Sequence, residues 1–208
     1  MTSGQKSYLP FKRIFDVTAA VIALILLSPL FIILMIAVKI SDGGPVFFLH
    51  ERVGLNNKKF KIIKFRSMKE NADEDLKRNA AEYEKFKNNG YKYKNGNDPR
   101  VTKLGHFLRR SSLDELPQFI NILKGDMSLV GPRPVTEPEL INYKGNVDKF
   151  LSVRPGALGL WQSSGRSDVG YPKRAQLDLE YVDKLSPTYD IYIIFKNIIS
   201  IFTRQGAY

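Results

Sequence analysis

The stretch "VTAAVIALILLSPLFIILMIAV", Val17 to Val38, runs for 22 residues without a charge. As one straight helix it would measure about 33 Å at roughly 1.5 Å per residue, enough to cross a bilayer core of about 30 Å. The run is too long for the apolar part of a signal peptide, and no small-x-small cleavage site follows it. Two features decide how it sits. Pro29, after Ser28, lies near its middle, where a proline removes a backbone hydrogen bond and bends or breaks the helix. The flanks are cationic at both ends, with Lys6, Lys12 and Arg13 before the run and Lys39 after it. Positive flanks favour the cytoplasmic side. One straight helix cannot place both ends there; a helix that enters, breaks at Ser28-Pro29 and returns can. Proline-kinked spanning helices exist as well, so pattern alone leaves both arrangements open. Either one divides the chain into a membrane segment at residues 1–40 and a domain at 41–208.

The whole chain shares the cationic bias of those flanks. Lys and Arg total 32 against 21 Asp and Glu, a formal net charge of +11. Such an excess points to an anionic partner: nucleic acid, an acidic membrane surface or a phosphorylated substrate. The chain has no cysteine, which excludes disulfides, thiolate metal sites and a cysteine nucleophile. Its two histidines, His50 and His106, argue against a histidine-rich zinc site. A length of 208 residues suits one domain with a proper core.

Downstream, "SDGGP" is a loop signal, "VFFLHERVG" suits a short strand, and "KKFKIIKFRSM" combines alternation with a heavy basic load. Most of those lysines read as a solvated or lipid-facing surface. Lys64 and Arg66, which close the segment beside small Ser67, are the phosphate candidates. Leu76, Ala80, Tyr83 and Phe86 recur at helical spacing and predict an amphipathic helix, followed by a flexible Asn/Gly-rich loop. The apolar, aromatic "YDIYIIFKNIISIFTRQGAY" at the end reads as a core helix or as one lying on a membrane.

The chemistry concentrates in "RRSSLDELPQFINILKGDMSLVGPRP", Arg109 to Pro134. The run Leu113 to Leu123 predicts a helix stopped by Gly125. Two acids stand together at its start, Asp114 and Glu115. One reading makes them caps: Ser112-x-x-Glu115 has the form of a capping box, and acids suit the first helical turn. Pro117 weakens the strict box, because its missing N–H would fall inside the helix. The other reading is chemical. A carboxylate near Arg109 and Arg110 stays ionised and can attack phosphorus. A second carboxylate beside it can hold Mg²⁺, which takes oxygen ligands and bridges substrate phosphates. Pro132 and Pro134 stiffen Arg133 in "VGPRP", so that its guanidinium meets a phosphate or nucleobase with little ordering cost. "RPGALGLWQSSGRSDVGYP" adds Arg154 and Arg166 among glycines that fit anion binding, and also plain turns. With an apolar membrane segment, these features point to phosphoryl transfer involving a lipid.

"KFRSM", "DPRVTKLGHFLRRSSLDELPQFINILKGDMSLVGPRP" and "RPGALGLWQSSGR" resemble the bacterial sugar transferase family, the monotopic phosphoglycosyl transferases. The likeness runs from the Ser-Pro break to the closing "GAY", with several long motifs in order and spacing, and the chain looks like the catalytic domain without further N-terminal spans. The polar segment before "NDPRVT" is similar to that of undecaprenyl-phosphate galactose phosphotransferases. The resemblance implies an α+β fold, mainly helical and membrane-associated. Its N-terminal helix is re-entrant and broken at Ser28-Pro29, with interfacial amphipathic helices and a few short strands. It implies transfer of a sugar-1-phosphate from a UDP-sugar, galactose favoured, to undecaprenyl phosphate, with release of UMP and Mg²⁺ as cofactor. Asp114 would be the nucleophile of a covalent intermediate, and Glu115 a magnesium ligand or proton carrier. Arg133 between Pro132 and Pro134 would sit against the nucleotide. Lys64 and Arg66 would steady phosphates, with Arg110, Arg154, Arg166 and Asp168 as further candidates. The place implied is the cytoplasmic face of the bacterial inner membrane, and a homodimer is compatible with it. His106 and Ser163 depart from the usual "LGRFLRR" and "WQVSGR". The rival reading is a non-catalytic membrane-anchored module for anionic lipid or polysaccharide, in which Asp114→Asn would be silent. Nucleic acid is not expected as a partner, because the apolar segment argues against it.

Overall fold

The computed structural model describes residues 1–88, 93, 98–165 and 169–203, with backbone alone at 73, 87, 88 and 201–203. Most of the Asn/Gly-rich loop, Arg166 and Asp168 lie outside the described residues. The fold is α+β and mostly helical, as expected. It opens with α1 (Ser3–Leu26) and α2 (Ser28–Asp42), which meet at a 67° bend on Leu27. The break falls where Pro29 stands in the first turn of α2 and the Ser28 Oγ donates to the Ile25 carbonyl at 2.8 Å. Among the described residues no single helix is long and apolar enough to cross a membrane; the bent pair together passes that test.

The first helix is amphipathic in an inverted sense. Gln5, Lys12, Asp16 and Ala20, at helical spacing, form its buried face. Phe11, Ile14, Ile25 and Leu26 are exposed. The buried polar groups are all partnered, as burial requires. Lys12 forms a buried ion pair with Asp190, Gln5 donates to the Val182 and Asp183 carbonyls, and Asp16 accepts from the Leu129 N–H at 3.0 Å. Arg13 donates to the carbonyls of Ile122 and Leu123.

Two small sheets follow. β1 (Phe47–Val53) and β2 (Lys59–Phe65) form an antiparallel hairpin where alternation predicted strands. The predicted helix through residues 76–86 is two helices, α3 (Ala72–Arg78) and α4 (Ala80–Asn88). Asn79 separates them because its Oδ1 accepts from the Glu82 N–H, competing with helix continuation. After α5 (Lys103–Ser111), the predicted helix from Leu113 is divided too. A single 3₁₀ turn covers Leu113–Glu115 and α6 runs Gln118–Lys124, with Pro117 at its N-cap. Gly125 stops α6 in the left-handed region, φ 87°, as read from the sequence. Fully buried Asn121 ties α6 to β2, accepting from the Ile63 N–H and donating to the Lys61 carbonyl.

β3 (Ser128–Val130) and β4 (Gly156–Leu158) pair in parallel. Between them lie a 3₁₀ segment (Glu137–Tyr143) and the short α7 (Val147–Phe150). The chain closes with α8 (Lys173–Lys184) and α9 (Pro187–Thr203). On α9, Asp190, Ile193 and Asn197 are buried, while Ile191, Phe195 and Ile199 are exposed. The largest apolar cluster joins Val130, Trp161, Leu177, Tyr181 and Ile193, and so packs α8 and α9 on the parallel pair.

Candidate active site

Ser112 decides how the paired acids are presented. It adopts φ 59°, caps the C-terminus of α5 through its backbone, and makes no side-chain cap to the turn that follows. The expected capping box is therefore absent: a left-handed residue turns the chain at this point, and the Glu115 carboxylate goes elsewhere. It accepts from Lys64 Nζ at 2.6 Å, across from the hairpin, and from Gln118.

The two carboxylates differ in proton affinity. Burial first, and then the charge of Glu115, push Asp114 up to about 6, against the opposing pull of Lys64 and Arg109. Burial alone would also raise Glu115, but Lys64 and Arg133 hold it below the ordinary carboxylate range. The arginines were expected simply to keep an acid ionised. Instead Asp114 is a buried, relatively basic carboxylate that is still mainly ionised at neutral pH. Such a group is a better nucleophile than an acid held far below its usual range.

Beside it opens a cleft of about 250 Å³. Lys64, Glu115, Arg133 and Pro134 line it, as do Arg52, Gln118, Gly156 and Gln162. Arg133 is fixed at its backbone, where its N–H donates to Asp178 and the Pro132 carbonyl accepts from the Gly156 N–H at 2.8 Å. Its guanidinium lies over the Trp161 ring at 5.3 Å, and Arg174 lies over the same ring at 4.3 Å.

Other expected phosphate ligands lie elsewhere. Arg66 pairs with Asp42 at the end of α2, against Gly44. Arg154 donates to the Gly125 carbonyl at 2.9 Å and lines a separate cleft with Lys12, Arg13 and Asp16. A guanidinium serves a helix C-terminus as readily as it serves a phosphate. Arg110 is exposed; its neighbour Arg109 is the one whose charge acts on Asp114, and it donates to the Ser67 Oγ at 2.8 Å. Sequence reading missed Arg52, Gln118 and Asp178, because no local pattern sets them apart and only long-range packing brings them here.

Asp178 is fully buried, accepting from the Tyr143 hydroxyl and the Arg133 N–H. Burial pushes its carboxyl up to about 7 although these donors oppose it. The native state thus holds a proton that the unfolded chain releases at ordinary carboxylate pH. This contribution to stability is complete below about pH 4 and is lost as pH rises through about 7, on the order of a few kcal/mol. Thermal unfolding should therefore show Tm falling between pH 5 and 8 in the native chain, with a smaller fall for Asp178→Asn. Equal slopes would show that Asp178 does not carry the effect.

Magnesium suits Asp114 and Glu115 in chemistry. They are adjacent hard oxygen donors, and the charge of Glu115 raises the proton affinity of Asp114, a repulsion that a divalent cation relieves. No group of three or more His, Cys, Asp or Glu converges to hold a metal among the described residues. Water and substrate phosphates would complete the shell of such an ion.

Comparison with known proteins identifies the family. The profile of the bacterial sugar transferase family matches residues 7–204. The exopolysaccharide production protein ExoY of Sinorhizobium fredii is 49% identical over 201 residues, 95% of this chain and 88% of that protein. The undecaprenyl-phosphate galactose phosphotransferase of Salmonella typhimurium is 47% identical over 204 residues, 95% of this chain and 41% of that longer protein. The UDP-glucose:undecaprenyl-phosphate glucose-1-phosphate transferase of Escherichia coli is 39% identical over 205 residues, 95% of this chain and 41% of that protein. With a profile match over residues 7–204 and relatives of this identity, the chain belongs to the bacterial sugar transferase family, the phosphoglycosyl transferase enzymes.

Proposed function

We propose that the protein transfers a hexose-1-phosphate, galactose favoured, from a UDP-sugar to undecaprenyl phosphate, releasing UMP, as a first step of cell-surface polysaccharide assembly. The observation that carries this reading is the pairing of a buried, relatively basic Asp114 with a cationic cleft containing Lys64 and Arg133. An Asp114 oxygen attacks the phosphorus that bears the sugar, the bond from that phosphorus to the UMP oxygen breaks, and UMP leaves with the electron pair. A phosphate oxygen of the lipid then attacks the same phosphorus. The bond to Asp114 breaks and the free carboxylate returns. Lys64 and Arg109 offset charge at the phosphorus, while Arg133 holds the nucleotide side. Mg²⁺ held by Asp114 and Glu115 would neutralise charge on the diphosphate.

The exposed apolar faces of α1, α2 and α9 support docking on the cytoplasmic leaflet of the inner membrane as a re-entrant, monotopic protein. Neither arm of the broken helix is suited to cross alone, since α1 carries Lys6, Lys12, Arg13 and Asp16 and α2 has only 15 residues, and the buried polar face of α1 leaves its apolar side outward. The lipid acceptor then reaches the cleft from the surface on which the protein sits.

The test is UMP release in detergent or nanodiscs with Mg²⁺, from UDP-galactose and UDP-glucose, with and without undecaprenyl phosphate. Lipid-dependent turnover with a preference for UDP-galactose is expected. A stoichiometric burst of UMP without lipid would establish the covalent step. Silence with these donors and with N-acetylated UDP-sugars would overturn the reading.

A further inference from the structure

The face of the hairpin that presents Lys64 also presents Arg52. Arg52 pairs with Phe60 across the two strands and Lys64 with Phe48, so both lie on the face that Ile62 contributes to the cleft. Arg52 is poorly served by its neighbours. Its side chain is only 14% exposed, and its Nε is buried without a partner. Its NH1 contacts are long, 3.4 Å to the Pro134 carbonyl and 3.3 Å to Glu139. The remaining nitrogen meets His50 Nδ1 at 3.1 Å.

Glu139 does not explain the arrangement. Its carboxylate is already held at 2.8 Å by both the N–H and the hydroxyl of Thr136, in a complete capping box. Arg100, by contrast, is satisfied by close contacts to Asp98 down to 2.7 Å. Like charge adds to the mismatch. Burial first, and then the charge of Arg133, weaken the hold of Arg52 on its proton. Two guanidiniums that repel each other in one cleft, one with an unused donor, suit an anion with several acceptor oxygens.

We propose that Arg52 is a further substrate-binding residue, donating to the phosphate next to the nucleoside, the group that departs with UMP. This inference rests on the donor being a UDP-sugar, as proposed above. Arg52 and Arg133 then share one phosphate between them. That relieves their repulsion and stabilises the charge that grows on the leaving group.

Binding of UMP and of uridine should be measured by calorimetry on the full chain in detergent, for the native protein, Arg52→Gln and Arg52→Lys, with Tm recorded for each. Charge-assisted hydrogen bonds of this kind correspond to a roughly tenfold to hundredfold change in affinity. The expected result is that Arg52→Gln weakens UMP binding by that factor and leaves uridine binding unchanged, while Arg52→Lys recovers part of the loss. Equal weakening of UMP and uridine, or no weakening of either, would overturn the role of Arg52 with the donor reading intact. Failure of the native chain to bind UMP at all would overturn the donor reading and the role of Arg52 with it.

Discussion

Asp114→Asn should reduce lipid-dependent UMP release by at least about 10³-fold, a barrier increase of roughly 4 kcal/mol or more. An amide does not attack phosphorus as a carboxylate does, and it also removes the burst expected without acceptor. Lost activity alone would not separate a nucleophile from a structural residue; stability does. The Asp114 side chain is buried, and its ionised form is disfavoured there by burial and by Glu115. A neutral amide of the same shape escapes that penalty. The variant should therefore unfold at the same temperature as the native chain at pH 7.5, or somewhat higher. A matching fall in Tm would mean that Asp114 serves the turn rather than the reaction. Full retained turnover would return the chain to the non-catalytic, lipid-binding alternative.

The second large effect is on the scaffold. Gly156 is where β4 crosses closest to the preceding loop. A Cβ there would lie 2.0 Å from the Gly131 nitrogen and 2.6 Å from its Cα, both of them backbone atoms that cannot rotate aside. Gly156→Ala must push the parallel pair apart, stretching the Gly156–Pro132 hydrogen bond that holds the Pro-Arg-Pro loop. We expect a cost of about 3 kcal/mol or more, seen as a Tm lowered by roughly 6–12 °C for a chain of this size. UMP affinity should fall as well, because Arg133 moves with the loop. Gly170→Ala is the control: a Cβ at Gly170 meets nothing within 4 Å. Equal stability of the two variants would remove this account of Gly156.

These residues also show what the chain discloses before it folds. The break at Ser28-Pro29, the strands of the hairpin and the stop at Gly125 are local matters of proline, alternation and glycine, and each was legible. The Asp114-Glu115 pair was legible as chemistry but not as geometry, because the capping box expected from Ser112 gives way to a left-handed turn. The glycines around residue 156 read as turns, whereas Gly156 answers to a backbone met 25 positions earlier, at Gly131. Charge was the least legible feature. Arg66, Arg154, Arg133 and Arg52 are chemically identical in the sequence. Packing sends the first two to Asp42 and to the Gly125 carbonyl, and the last two to the cleft.

The polar face of α1 has a consequence for how the protein is made. Lys12 leaves the ribosome 178 residues before its partner Asp190, and Asp16 leaves 113 residues before Leu129. At about 5–20 residues per second, the first of these intervals lasts roughly 10–40 s. For that time the nascent chain carries a helix with its apolar side ready and Lys12 on its charged side without Asp190. The clasp between α1 and α9 can close only once the chain has been made as far as Asp190. A ribosome stalled ahead of Asp190 would hold a nearly finished catalytic cleft whose first helix has not yet been fastened to it.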